Sequence, residues 1–182
     1  MKKRIYNQTS LFGPLYAYLI VLSPPIDIRN RIKSIKEEMQ AIADIGERSV
    51  KSIAHITLTD KLTDDTDLAK TITDLTGHQN AFEIKTGGWD YFDHGHSVTI
   101  YLKIENPDPV VEIAEKLKSA AKTPHISLAK RIPHEKLEKL RPYLDNLNFN
   151  ELWICTEITV LRKLMSEKHL GFRWHFMIPF EG

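Results

Sequence analysis

The chain has one cysteine, Cys155, set inside the apolar run Leu152-Trp153-Ile154-Cys155. A single thiol excludes an intramolecular disulfide and leaves no cysteine cluster for zinc, so a buried core thiol in a reducing compartment is expected. Surplus charge is also missing, since 25 basic residues stand against 24 acidic ones and leave +1. Extended nucleic acid is gripped through many phosphates by a strong basic field. Duplex DNA is therefore not an expected partner, and an RNA end or a small nucleotide fits better. No apolar run approaches the roughly 18 residues of a membrane helix, so no membrane contact is expected. Met1-Lys2-Lys3-Arg4 followed by Leu15 to Leu22 superficially resembles a secretory signal. Asn7, Gln8, Thr9 and Pro14 interrupt it, however, and no small-residue cleavage pattern follows. The expected location is cytoplasmic.

What the 182 residues do contain, at 42% hydrophobic, is enough apolar matter for one ordinary core or for two lobes sharing one. Tyr16 to Leu22 reads as a buried strand stopped by Ser23-Pro24-Pro25. Ile28, Ile32, Ile35, Met39 and Ile42 recur at helical spacing, with Asp27 as the expected N-cap and Lys33, Lys36, Glu37 and Glu38 as a solvated face. A strand over 53–59, a helix over 64–75 closed by Gly77, and a strand opening at Phe82 follow. The order then repeats: a strand over 97–104, a helix over 110–121, a strand over 125–129 and a helix over 135–147. Closing strands are expected over 149–162 and 172–180.

The spacing within the halves agrees. Leu68 lies 13 residues after His55 and Leu137 lies 12 after His125, while Phe82 and Phe149 lie 27 and 24 after the same two histidines. Two copies of one supersecondary unit pack about a pseudo-twofold axis. The expected fold is α+β and bilobal, with two antiparallel sheets forming a central cleft and helices outside. Its repeats span about 15–92 and 96–165 of a single domain, with a closing strand over about 172–180.

Equivalent strands of the two halves carry His55-Ile56-Thr57-Leu58 and His125-Ile126-Ser127-Leu128. One His-x-Ser/Thr is unremarkable, because a chain with eight histidines meets it by composition. Two in matched positions, each with Ile between and Leu after, are a different matter. Side chains two apart on a strand share a face, so each motif presents an imidazole and a hydroxyl on one side and packs its aliphatics on the other. A neutral His takes a proton, a protonated His gives one, and the two hydroxyls bind non-bridging phosphate oxygens. That set cleaves a phosphodiester with no metal and no cofactor. The plainer alternative is a half-buried His bonded to its own Thr or Ser.

With these motifs the sequence resembles the 2H phosphoesterase superfamily, whose signature is a His-x-Thr/Ser in each half of a bilobal α+β fold. The likeness runs from the Tyr16 strand to the Phe180 strand. It is nearest to the bacterial branch called 2'-5' RNA ligase or RNA 2',3'-cyclic phosphodiesterase. The resemblance implies metal-independent opening of 2',3'-cyclic phosphates to 2'-phosphates, with 2'-5' RNA ligation or 2'-5' oligonucleotide cleavage as the alternative. A noncatalytic nucleotide-binding module is the rival from another class. The resemblance implies His55, Thr57, His125 and Ser127 as catalytic residues.

Other residues are candidates by position. Gly87-Gly88-Trp89-Asp90-Tyr91-Phe92-Asp93 is expected to connect two strands as a lid, with Trp89 and Tyr91 stacking on a base. Lys61, Lys130 and Arg131 follow the motifs closely enough to reach phosphate. Arg162, Lys163, Arg173 and Trp174 bracket the last loop, where a nucleotide tail would lie. Asp93-His94-Gly95-His96 looks like a metal ligand set but falls at a turn with no distant ligand, so no metal is expected.

Overall fold

A computed structural model describes residues 14–65, 68–166 and 171–181. Among these residues there are eight strands and five helices. The first half runs β1 (Tyr16–Leu22), α1 (Ile26–Ala43), α2 (Glu47–Lys51), β2 (Ile56–Thr63), α3 (Leu68–Thr76) and β3 (Phe82–Asp93). Then come β4 (Val98–Ile104), α4 (Asp108–Lys116), β5 (His125–Ile132), α5 (His134–Asp145), β6 (Leu152–Cys155), β7 (Glu157–Leu164) and β8 (Arg173–Pro179). Of the signal-like stretch, residues 1–13 lie outside the described ones, while 16–22 form β1. Thr66 and Asp67, at the expected start of the second helix, are also outside them.

The strands join into one strongly curled antiparallel sheet in the order β6-β3-β4-β5-β2-β1-β7-β8, where two separate sheets were expected. The seam between the expected sheets is β2 against β5, and it holds by one registered pair, Ile56 with Ile126. Both isoleucines are 0% exposed. Outward from this seam the order is matched: β1 and β4 flank it, then β7 and β3, then β8 and β6 at the edges.

Helices cover one face. Ile28, Ile32, Ile35 and Met39 of α1, Ile72 of α3, Ile113 of α4 and Leu140 of α5 meet the sheet's Ile20, Leu58, Ile100 and Leu128 in one continuous core. The cover is crossed, since α1 packs on α5 and β5 while α4 packs on α3 and β2. Each half thereby roofs the central strand of the other, which holds the single-pair seam together.

Local chemistry explains several boundaries. Pro25, not Asp27, sits at the N-cap of α1, and no side chain caps it; Asp27 instead lies in the first turn, where the helix dipole favours an acid. Thr156 separates β6 from β7, so the single closing strand expected over 149–162 is two, paired to opposite ends of the sheet. The expected lid at 87–93 lies within β3. Its glycines make a bulge against β4, where the register shifts between Thr86 and Trp89. Gly88 has φ of +62°, and a Cβ on Gly87 would run into the Glu105 side chain. Cys155 is buried in the core, and burial pushes its thiol up to about 12.

Candidate active site

His55 ends the segment entering β2, and His125 opens β5. Around the Ile56–Ile126 pair, antiparallel register sets His55 opposite Ser127 and Thr57 opposite His125. The four side chains lie on the face away from the buried isoleucines, and all four are half-buried. Each imidazole is held in the same way. Nδ1 of His55 lies 2.8 Å from the Ile53 carbonyl oxygen, and Nδ1 of His125 lies 2.8 Å from that of Thr123. A carbonyl only accepts, so Nδ1 carries the proton in both rings and Nε2 is left for chemistry. Neither ring is bonded to its own Thr or Ser. Among the described residues the hydroxyls of Thr57 and Ser127 have no side-chain hydrogen bond of their own.

The surroundings of the two histidines differ. His125 sits against aromatics: its ring is 5.0 Å from Tyr101 and 5.1 Å from Phe92, which stack on each other at 4.3 Å. His55 sits among cations. Burial holds it below the ordinary imidazole value, and the positive charges of Lys130, Lys36 and His125 push the same way, while the bond to Ile53 opposes them. His125 is also lowered, by burial first and then by Lys130, against its bond to Thr123.

Lys36 was expected on a solvated face, yet it is 1% exposed. Its Nζ donates to the Ser52 carbonyl and to Ser52 Oγ, each at 2.8 Å. Burial first, then Lys130, pulls its ammonium down to about 8. The residue next to Ser52 is Ile53, whose carbonyl holds His55, so Lys36 pins the backbone that orients that imidazole.

Beside His55 and Ser127 opens a cavity of about 280 Å³ whose wall includes Arg48, Ser49, Ser52, Lys130 and Arg131. Lys130 and Arg131 thus line this cavity, whereas Lys61 pairs with Tyr18 and lines no part of it. Trp89 and Tyr91 are not at the histidines. They pair with Leu102 and Ile100, whose side chains are in the core, and Arg141 of α5 lies over both rings at 5.9 and 5.6 Å. Phe92, one position on, faces the other way and meets His125. Trp174 is 63% exposed on β8, three strands from Thr57, beside Tyr16, Arg162, Lys163 and Arg173. His94 is bonded to Thr99 Oγ1 at 3.1 Å in the β3–β4 turn. Among the described residues no three His, Cys, Asp or Glu side chains gather as a metal site.

Sequence reasoning put Lys36 on a solvated face and Phe92 in a lid, and passed over Arg48 and Tyr101. Helical spacing carried the signal for Lys36, which lies four residues after Ile32 and three before Met39. Strand parity carried that for Phe92. Tyr101 is found only through its pairing with Ser127, and Arg48 has no signal in the sequence.

Comparison with known proteins follows the same lines. The sequence model of the 2'-5' RNA ligase superfamily matches residues 24–166, a span holding both histidine motifs. Among solved structures, E. coli LigT complexed with ATP is 15% identical, with 93% of this chain and 100% of that one covered and a TM-score of 0.67. Its apo form is 14% identical over the same shares, at 0.63. The protein TT0787 of Thermus thermophilus is 15% identical over 90% and 97%, at 0.63. No curated protein matches the sequence. At these identities the likeness to the solved structures is one of fold.

Proposed function

The chain belongs to the 2'-5' RNA ligase superfamily of 2H phosphoesterases, and from that premise we propose that it opens 2',3'-cyclic phosphates of RNA ends or small nucleotides by two-histidine acid–base catalysis without a metal. The observation that carries this reading is the pair of half-buried imidazoles, each tied through Nδ1 to a carbonyl two residues back, meeting across the Ile56–Ile126 pair with a hydroxyl beside each. E. coli LigT, of the same fold, forms complexes with 3'-AMP and with ATP, which agrees with a nucleotide substrate.

His55 is the base and His125 the acid in this scheme. Cations crowd His55 from α1 and β5 and favour its neutral form, whereas Lys130 alone among cations bears on His125. Nε2 of His55 takes a proton from water as the water oxygen attacks phosphorus. The P–O3' bond breaks in line, and Nε2–H of the His125 imidazolium protonates the leaving O3'. A 2'-phosphate and a 3'-hydroxyl result, and the two rings have exchanged protonation states. Thr57 and Ser127 donate to the non-bridging oxygens as their charge shifts.

A substrate panel in excess EDTA tests this: 2',3'-cyclic AMP, a short RNA with a cyclic end, and a 2'-5' linked adenylate dimer. The cyclic phosphates should turn over to 2'-phosphates despite the chelator. Loss of activity in EDTA, or a 3'-phosphate product, contradicts the scheme. Binding without turnover across the panel makes the chain a nucleotide-binding module.

A further inference from the structure

The cavity beside His55 and Ser127 is off-centre. It touches one imidazole and one hydroxyl of the quartet, and neither Thr57 nor His125 lines it. The scissile phosphate belongs between the two histidines, so a space on one flank is room for another part of the substrate. Besides His55 and Ser127 its wall includes three cations, Arg48, Lys130 and Arg131, and two further serines, Ser49 and Ser52, and no acidic residue. Among the described residues no carboxylate forms an ion pair with any of the three. Beneath it lies a fourth cation, the buried Lys36, hydrogen-bonded to Ser52 of the wall. One phosphodiester charge leaves so many cations under-neutralised.

The backbone is distorted to bring these groups together. Regular alternation would send Lys130 and Arg131 to opposite faces of β5. Instead β5 slips against β4 twice, between Val98 and Ile100 and between Ile100 and Tyr101. Arg131 takes a φ of +60°, a left-handed conformation that costs a residue with a Cβ about 1–2 kcal/mol. With that distortion both residues line the same cavity. Strain of this sort persists where the surroundings enforce it, and it gathers at ligand sites. From the other side, the Lys130 amide donates to Ser49 Oγ at 3.4 Å, which joins α2 and its exposed Arg48 to the same wall.

Building on the proposed reaction, we infer that this cavity is a subsite for a second phosphate group on the nucleotide whose cyclic phosphate is opened, so that the favoured substrates carry a phosphate on the 5' oxygen as well. In an RNA end that group is the 5' phosphodiester of the last nucleotide; in a small molecule it is a 5'-phosphate or pyrophosphate. A guanidinium reaching such a group makes a charge-assisted bond, and Arg48, being solvent-exposed, is free to make one.

Titration calorimetry of the full chain with adenosine 2'-monophosphate and with adenosine 2',5'-bisphosphate tests the subsite independently of turnover. The wild type should bind the bisphosphate about tenfold or more tightly, as one charge-assisted contact predicts. Arg48→Gln should erase that preference and leave monophosphate affinity within about threefold, while Lys139→Gln, which removes an exposed cation of α5, should keep it. Equal binding of the two ligands by the wild type, no binding of either, or equal weakening of both by Arg48→Gln overturns the subsite. The proposed reaction is judged apart, by turnover of the cyclic forms with and without a 5'-phosphate. A bisphosphate preference without turnover keeps the subsite and sinks the reaction. Turnover with no preference does the reverse.

Discussion

At the scale of single residues, two chemically identical side chains are given different surroundings. Both imidazoles are held by backbone carbonyls and both are lowered by burial, yet cations reach His55 from α1 and β5 while aromatics frame His125. A coupled acid and base give a bell-shaped dependence of kcat/KM on pH, and in the free protein both limbs should lie below the ordinary imidazole value of about 6.5. The positive charge of Lys36 disfavours the imidazolium of His55, so Lys36→Met should raise the His55 pKa and move the acid limb to higher pH, leaving the basic limb in place. An acid limb that stays or moves down would remove His55 from the role of base. The motifs themselves were legible in the sequence because imidazole and hydroxyl sit two apart on one strand. Lys36 was not, because a lysine among Lys33, Glu37 and Glu38 reads as solvated unless its place on the Ile32–Met39 stripe outweighs its charge.

At the scale of elements, most of the strands and helices could be read from period and punctuation, and the misreading of 87–93 has a specific cause. A bulge changes parity, and parity decides which face a side chain takes. Gly87-Gly88 looked like loop chemistry, but the glycines serve a bulge inside β3, after which Trp89 and Tyr91 turn to α5 and Phe92 to His125. The bulges in β5 are likewise silent in a sequence that has no glycine there, and one of them falls on the stretch that holds Lys130 and Arg131. Gly88 tests the first case cleanly, since a Cβ there would meet only Lys103 Cε at 3.8 Å, so conformation and not collision sets the cost. Gly88→Ala should lower unfolding free energy by about 1–2 kcal/mol in urea. No measurable loss would mean that the bulge relaxes and does not fix the face of Phe92.

At the scale of the whole molecule, the repeated element order agrees with β1 beside β2 and β4 beside β5, but it announces neither that β3 joins β4 across the seam while β7 joins β1, nor how the halves are joined. Sequence offers no sign that one pair, Ile56 with Ile126, carries the sheet across its middle, or that α1 and α4 each roof the other half's central strand. Those are long-range contacts between segments far apart in the chain, and nothing local encodes them. They matter because the four motif side chains come together only where the halves meet: each side of the seam contributes one histidine and one hydroxyl, and neither alone holds two imidazoles. The most direct measurement is kcat/KM on a 2',3'-cyclic nucleotide for His55→Ala, His125→Ala and the double variant. Each single change should cost about 10²–10⁴-fold, and the double should cost little more than the worse single, as for groups acting in one step. Wild-type turnover in either single variant, or losses that multiply in the double, would contradict a single site shared across the seam.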